Sequence, residues 1–326
     1  MRKNVFLFIL LLMAGAFAAL AIYHYKQTRV ADQPVQSKKI RIAYPYEGTL
    51  ISGEVGLILQ RTDILKEKGF EAEIFPMATG KEMKTALVAG QVDVIMTSES
   101  NFVVLLGNGF DCYAVASFGP DGQMGLAVNA GSDIGDIAGL RNKKVGTLFG
   151  TSVHNPTIEW IRESGLDPKK DVEIINLGDL GTIQSSLISK NVAAAMLWDP
   201  YLFNGVNRGL YRTIKTAGLD TITVMSAEYA KDETGVMAFK QALRESLFYL
   251  SQNKEQVAGW YNKQDLGSAE ISEILSINKN YNASSLDQID IGISGEFISK
   301  LENIAVFLNN EKLIEKLPEV TKYIKF

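Results

Sequence analysis

The sequence echoes itself at a spacing of about one hundred residues, and that repetition confines the chain to a few folds. Residues 85–100, TALVAGQVDVIMTSES, align without a gap with residues 185–200, SSLISKNVAAAMLWDP. Upstream, EAEIF at 71–75 matches DVEII at 171–175, and the strand-like KKIRIAYPY at 38–46 is echoed by KKVGTLF at 143–149. Each half therefore predicts strands and helices in the same order. Strands that alternate with helices make right-handed crossovers over a parallel sheet, so each half is expected to be a small, doubly wound α/β lobe.

Helix ends are also readable. Thr79-Gly80-Lys81-Glu82 has the form of a capping box, Met83, Ala86 and Leu87 follow as an apolar stripe, and Gly90 ends it. After CYAVASF at 112–118 the turn-rich GPDGQM leads to GLAVN, and after LYRTIKT at 210–216 AGLD leads to TITVM. These two places predict hinge crossings between lobes. Beyond Glu233 the apolar period becomes helical: Phe239, Leu243, Leu247 and Leu250 share one face, as do Phe297, Leu301, Ile304 and Leu308. The expected organisation is lobe one at 38–119, lobe two at 120–219, and a return to lobe one with C-terminal helices at 220–326. Ahead of it, Arg2 and Lys3 precede an uncharged apolar stretch at 5–23, long enough to cross a bilayer as a helix. Ala16-Phe17-Ala18 would suit cleavage, whereas Tyr23, Tyr25 and Lys26 would suit an interfacial anchor. Residues 1–25 thus read as a signal peptide or a membrane anchor and 26–37 as a linker, which places the lobes outside the cytoplasm, in the periplasm or its equivalent.

Composition removes several function classes. Thirty-three basic residues are scattered among 37 acidic ones, for a net charge of −4, so no basic face is available for nucleic acid. Only His24 and His154 are present, with the single cysteine Cys112, which leaves no metal-ligand cluster, no disulfide and no nucleophile–histidine pair. Glycine-rich phosphate loops are missing too. No catalytic residue, metal or cofactor is expected.

What remains is a crevice at the strand ends, where helix N-termini present unpaired N–H groups. Gly48-Thr49 follows the first strand of lobe one and Gly150-Thr151-Ser152 follows its counterpart in lobe two. The third strands end in Ser98-Glu99-Ser100 and Trp198-Asp199, while Tyr44, Tyr46, Glu47 and Phe118 stand at neighbouring strand ends. Aromatic walls with few polar anchors suit a small molecule.

In the order of its motifs, IRIAYPYEGT, ALVAGQVDVIMTSES, VGTLFGTS, DVEIINL, MLWDPY and a tail ending LPEVTKYIKF, the chain resembles the periplasmic solute-binding proteins of the sulfonate, nitrate and thiamine-precursor group. That resemblance covers Lys38 to the C-terminus. It implies a type II periplasmic-binding fold, no catalysis, and delivery of a captured solute to an ABC permease and its ATPase. The family's ligand positions map onto residues 44–49, 98–100, 150–152 and 198–199. One departure stands out: the family's Gly-x-Val/Ile-Asp-Ala before the third strand of lobe two reads Lys190-Asn191-Val192-Ala193-Ala194 here. Because Glu47, Glu99 and Asp199 sit at strand ends with no lysine or arginine, an amine-bearing or heteroaromatic solute is expected ahead of a sulfonate or inorganic anion. A monomer is expected. The rival reading is a membrane-tethered ligand sensor with no transport role.

Overall fold

The structure, a computed structural model, describes residues 37–46, 50–261 and 266–326. The apolar segment at 5–23 lies outside them, as does the linker apart from its last residue. Among the described residues no helix is long and apolar enough to cross a membrane.

Eight strands form one hydrogen-bonded sheet in the order β2-β1-β3-β8-β4-β7-β5-β6. The first wing contains β1 (Lys38–Pro45), β2 (Phe70–Met77) and β3 (Val94–Ser98); the second contains β5 (Lys144–Thr147), β6 (Glu173–Asn176) and β7 (Ala194–Trp198). Strand order within the wings is the same, 2-1-3 against 6-5-7 read outward in. β1 runs parallel to β3, with Ile42 opposite Val94, and β5 runs parallel to β7, with Val145 opposite Ala194. Between the wings lie two long strands, β4 (Cys112–Asn129) and β8 (Tyr211–Ser226), antiparallel to each other and to the wing strands they meet. The sheet is therefore mixed, where alternation alone predicts a parallel one.

The two crossings are also more regular than their turn-rich sequences suggest. GPDGQM does not interrupt β4, because Gly119 and Gly122 take φ of +81° and +92° and absorb register shifts as bulges. Asn278 and Asn280, both fully buried, then tie this stretch down: Asn278 Nδ2 donates to Phe118 O at 2.9 Å and Pro120 O at 2.7 Å, and Asn280 Nδ2 donates to Phe118 O at 3.0 Å.

The inner wing strands β1, β3, β5 and β7 are largely buried on both faces, which is why they read as nearly continuous apolar runs, whereas the edge strands β2 and β6 are largely exposed or half-buried. In β1, Ile40, Ile42 and Tyr44 join one core cluster and Ala43 the other; in β7, Ala194 and Met196 face one way and Ala195 and Leu197 the other. In the first wing one face is covered by α1 (Ile51–Arg61), the short α2 (Ile64–Glu67), α8 (Glu233–Gln252), α9 (Lys254–Tyr261) and α10 (Ser268–Leu275). Its other face is covered by α3 (Gly80–Val88), α4 (Glu99–Gly107) and α11 (Gly295–Asn310). In the second wing α5 (His154–Glu163) lies on one face, with α6 (Leu180–Ile188) and α7 (Tyr201–Asn207) on the other. Cys112 is buried in the core, where desolvation pushes its thiol up, away from reactivity.

The echo persists at the level of single residues. α3 and α6 both end in a Schellman turn, with Gln91 N donating to Ala86 O at 2.9 Å and Asn191 N to Ser186 O at 2.9 Å. The residue in the left-handed region is Gly90 in the first (φ +65°) and Lys190 in the second (φ +61°). A lysine Cβ is strained there, so the departure noted in the sequence is a local cost. Lys190→Gly is expected to raise stability by about 0.5–1 kcal/mol, the strain relieved outweighing the added unfolded-state entropy; urea denaturation checks it, and a loss would mean that the lysine side chain contributes more than its backbone costs.

Candidate functional site

The tips of β3 and β7 border a cavity of about 150 Å³ lined by residues of both wings. Two helix starts meet it at equivalent positions. Thr79 Oγ1 accepts Glu82 N at 3.2 Å to cap α3, and Asp179 Oδ1 accepts Thr182 N at 2.8 Å to cap α6. Gly80 and Leu180, the first residues of these helices, line the cavity, so the positive ends of both helix dipoles border it. Gly80 has a steric reason to be glycine: a Cβ there would lie 2.1 Å from Asn101 Nδ2.

Asn101 belongs to a set of groups that the fold buries without fully pairing. Its Nδ2 donates to Thr97 Oγ1 at 2.8 Å, but among the described residues its Oδ1 has no hydrogen-bond partner, nor do the buried Ser98 Oγ and Thr221 Oγ1. Ser98 holds the N-cap position of α4, yet its hydroxyl caps nothing. Three such atoms around one cavity are unusual, because each costs about 1–3 kcal/mol when left unpaired. The opposite wall is more apolar. Trp198 and Leu148 line it together with Leu219 of β8, and Thr151 and Ser152 add hydroxyls, the Thr151 hydroxyl already donating to Leu148 O at 2.7 Å. No lysine or arginine is among the lining residues.

Of the residues singled out in the sequence, Ser98, Thr151, Ser152 and Trp198 line this cavity. Glu47, Gly48 and Thr49 lie outside the described residues. Tyr44 and Phe118 are 2% and 1% exposed and belong to the core, the Tyr44 ring packing over Gly56 with its hydroxyl donating to Gln60 Oε1 at 3.2 Å. Tyr46 is half-buried against the same cluster. Gly150, exposed with φ +75°, shapes the turn after β5 without lining the cavity, and the exposed Phe149 stacks on His154 at 4.4 Å.

The three-acid pattern at the strand ends does not form. Glu99 and Ser100 open helix α4, and its first turn carries them away from Ser98 into a separate groove of about 640 Å³ between α4, α5 and α11. There Glu99, 2% exposed, accepts Lys300 Nζ at 3.1 Å; burial raises the acid's pKa and Lys300 opposes the rise. Lys300 also holds Asp220 at 2.6 Å. Asp199 accepts Gln123 N at 2.7 Å and Phe203 N at 3.0 Å, fastening β7 to β4 and to the start of α7; burial pushes it up to about 6 against those two N–H bonds. Both acids therefore serve the protein's own contacts.

Thr79, Asn101, Asp179 and Thr221 line the cavity and were not among the sequence candidates. A signal existed for two of them: the capping box at Thr79 and Asp179 share the hundred-residue offset. Asn101, one turn into a helix, and Thr221, on the returning strand, carry none.

Comparison with known proteins agrees with this architecture. An aliphatic sulfonates-binding protein of Escherichia coli is 28% identical over 169 residues, covering 50% of this chain, so the match spans about half of that relative's length, 52%. A protein of the same description from Bacillus subtilis is 23% identical over 327 residues, covering 96% of this chain and 90% of its own. The crystal structure of the periplasmic aliphatic sulphonate binding protein SsuA from Escherichia coli superposes with a TM-score of 0.73 at 20% identity, over 88% of this chain and 97% of that one. A model of the NMT1-like family matches residues 51–258, well over half of the sequence. With the fold of a periplasmic binding protein and that match, the chain belongs to the NMT1-like family.

Proposed function

We propose that this protein captures a small organic solute between its two wings, outside the cytoplasm, and hands it to an ABC permease and ATPase. The observation that carries the reading is the unpaired trio Ser98 Oγ, Asn101 Oδ1 and Thr221 Oγ1 beside Trp198 in one cavity. A solute that supplies partners to those atoms gains what the empty protein forgoes, and because the lining comes from both wings, it also favours their approach. Lobe boundaries near 119 and 219, with bending confined to β4 and β8, complete the proposed capture mechanism.

A cavity of about 150 Å³ is of the size that accepts a benzene-sized body. Glu99 and Asp199 are engaged elsewhere, and the carboxylate that does line the cavity, Asp179, already accepts Thr182 N and Oγ1, so an amine-bearing solute has less support than the sequence suggests. A heteroaromatic or aliphatic body on Trp198 with an oxygen-rich head at the trio fits better, and the alkanesulfonates named for the relatives have that form. The α3 N-terminus would favour an anionic head by about 0.3–1 kcal/mol, whereas the α6 N-terminus already carries the Asp179 carboxylate.

A thermal-shift screen of the protein against alkanesulfonates, nitrate, amines and pyrimidines tests the proposal: one class should raise the melting temperature by mass action, and no response from any would count against it. Thr221→Val gives a sharper check, because it removes an unpaired hydroxyl without changing shape. Stability of the empty protein should rise by about 1 kcal/mol while affinity for the selected solute falls about 5- to 10-fold. A variant less stable yet equally avid would show that Thr221 works only for the fold.

A further inference from the structure

Thr79 and Asp179 hold the same place in the two wings: each is the N-cap of the helix that follows the second strand of its wing, and each lines the cavity. Both are exposed, in extended backbone. Thr79 Oγ1 accepts Glu82 N at 3.2 Å and Asp179 Oδ1 accepts Thr182 N at 2.8 Å, so a hydroxyl suffices for the capping task and the charge of Asp179 exceeds what the fold requires. Among the described residues that line the cavity, Asp179 alone is charged. Hydrogen bonds from Thr182, the N–H first and then the hydroxyl on Oδ2 at 2.7 Å, hold its carboxyl below the usual carboxylate range, and it is ionised at neutral pH. A carboxylate offers about four lone-pair sites, so two hydrogen bonds from Thr182 leave room for a donor in the cavity. Glu82 is no counterpart on the other side, for it accepts Ala78 N at 3.0 Å and does not line the cavity. The two ends therefore differ. At α3 the cap is neutral, whereas at α6 an anionic group would meet a carboxylate with no lysine or arginine in the lining to offset the repulsion.

We propose that Asp179 is the specificity-determining residue of this cavity: it admits a solute with one anionic group, turns that group toward α3, and takes a neutral hydrogen-bond donor at the α6 end. The assignment rests on the proposed capture of a small organic solute, and it narrows the class to molecules with one charged and one neutral polar end.

Two probes of matched size test it by calorimetry at one ionic strength: ethane-1,2-disulfonate, with an anion at both ends, and 2-sulfamoylethanesulfonate, with an anion at one end and a neutral N–H donor at the other. The wild type should prefer the sulfamoyl probe. Asp179→Thr copies the cap of α3 and should melt within about 4 °C of the wild type. It should shift the affinity ratio toward the disulfonate at least about fivefold, because a negative charge leaves the lining while the cap stays. Asp179→Asn, another good cap, should shift the ratio the same way and keeps the test decisive if the threonine variant does not fold. A residue that only supports the helix would change both affinities together and leave their ratio alone. An unchanged ratio in a protein that binds the sulfamoyl probe overturns the role of Asp179 and leaves capture standing. Binding of the disulfonate by the variants but not by the wild type supports exclusion by Asp179. If no form of the protein binds either probe, the assignment falls, and the thermal-shift screen alone decides on capture.

Discussion

Replacing Lys300 by methionine should lower the unfolding free energy by about 3 kcal/mol at neutral pH, the lower end of what breaking a buried pair costs. The lower end applies because Lys300 is 36% exposed and water screens it, whereas Glu99 is 2% exposed and cannot be rehydrated in place. Methionine retains the apolar stem and removes only the charge that α11 extends to Glu99 on α4 and Asp220 on β8. Without Lys300, burial and the neighbouring Asp220 raise the Glu99 pKa further, with a backbone hydrogen bond left to oppose them. An acid whose folded pKa lies above its unfolded value costs stability when ionised, so the loss should grow as pH rises beyond the ordinary carboxylate range and shrink as pH falls toward it. Urea denaturation at several pH values, with Lys300→Met/Glu99→Gln as the restoring double variant, measures both effects. A loss under about 1 kcal/mol at every pH would mean that the pair contributes no more than a surface salt bridge.

Gly122→Ala should be costlier still, about 3–5 kcal/mol, because two penalties coincide. Gly122 has φ +92°, and a Cβ there would lie 2.9 Å from Asp199 Oδ2 and 3.0 Å from Asp199 Cβ. Asp199 cannot yield without releasing Gln123 N and Phe203 N. Gly150→Ala is the matched control: its φ is +75° but nothing lies within 4 Å, so it should cost only the backbone strain, about 1–2 kcal/mol. Equal losses in the two variants would show that Asp199 moves freely and that the crossing is loosely held.

The hundred-residue echo made the repeated wings legible because periodic burial leaves a periodic apolar pattern, and β3 and β7 appear at Val94–Ser98 and Ala194–Trp198 as the alignment places them. Turn chemistry misled at the crossings. Gly119 and Gly122 read as loop residues, yet their φ values serve bulges inside a long strand, and only the neighbours Asn278 and Asn280 reveal that. Strand-end position picks out Ser98 and Trp198, which line the cavity, but it cannot tell which of two adjacent residues turns inward, so it groups Glu99 and Asp199 with them. Partners far along the chain decide that question: Lys300 draws Glu99 outward and Gln123 engages Asp199. Asp121 goes unnoticed in a hinge motif for the same reason: the N–H groups of Leu50, Ile51 and Ser52 and the Ser52 hydroxyl, whose hydrogen bonds it accepts, lie some seventy residues upstream.

A solute held by both wings must lose affinity when either wall is altered. Calorimetric affinity of the solute selected by the thermal screen, measured for wild type, Ser98→Ala and Trp198→Ala, tests this most directly. Ser98→Ala should weaken binding about 5- to 10-fold through a lost buried hydrogen bond, and Trp198→Ala by about 1–3 kcal/mol through lost stacking. Losses confined to one wall, or wild-type affinity in both variants, would contradict capture between the wings.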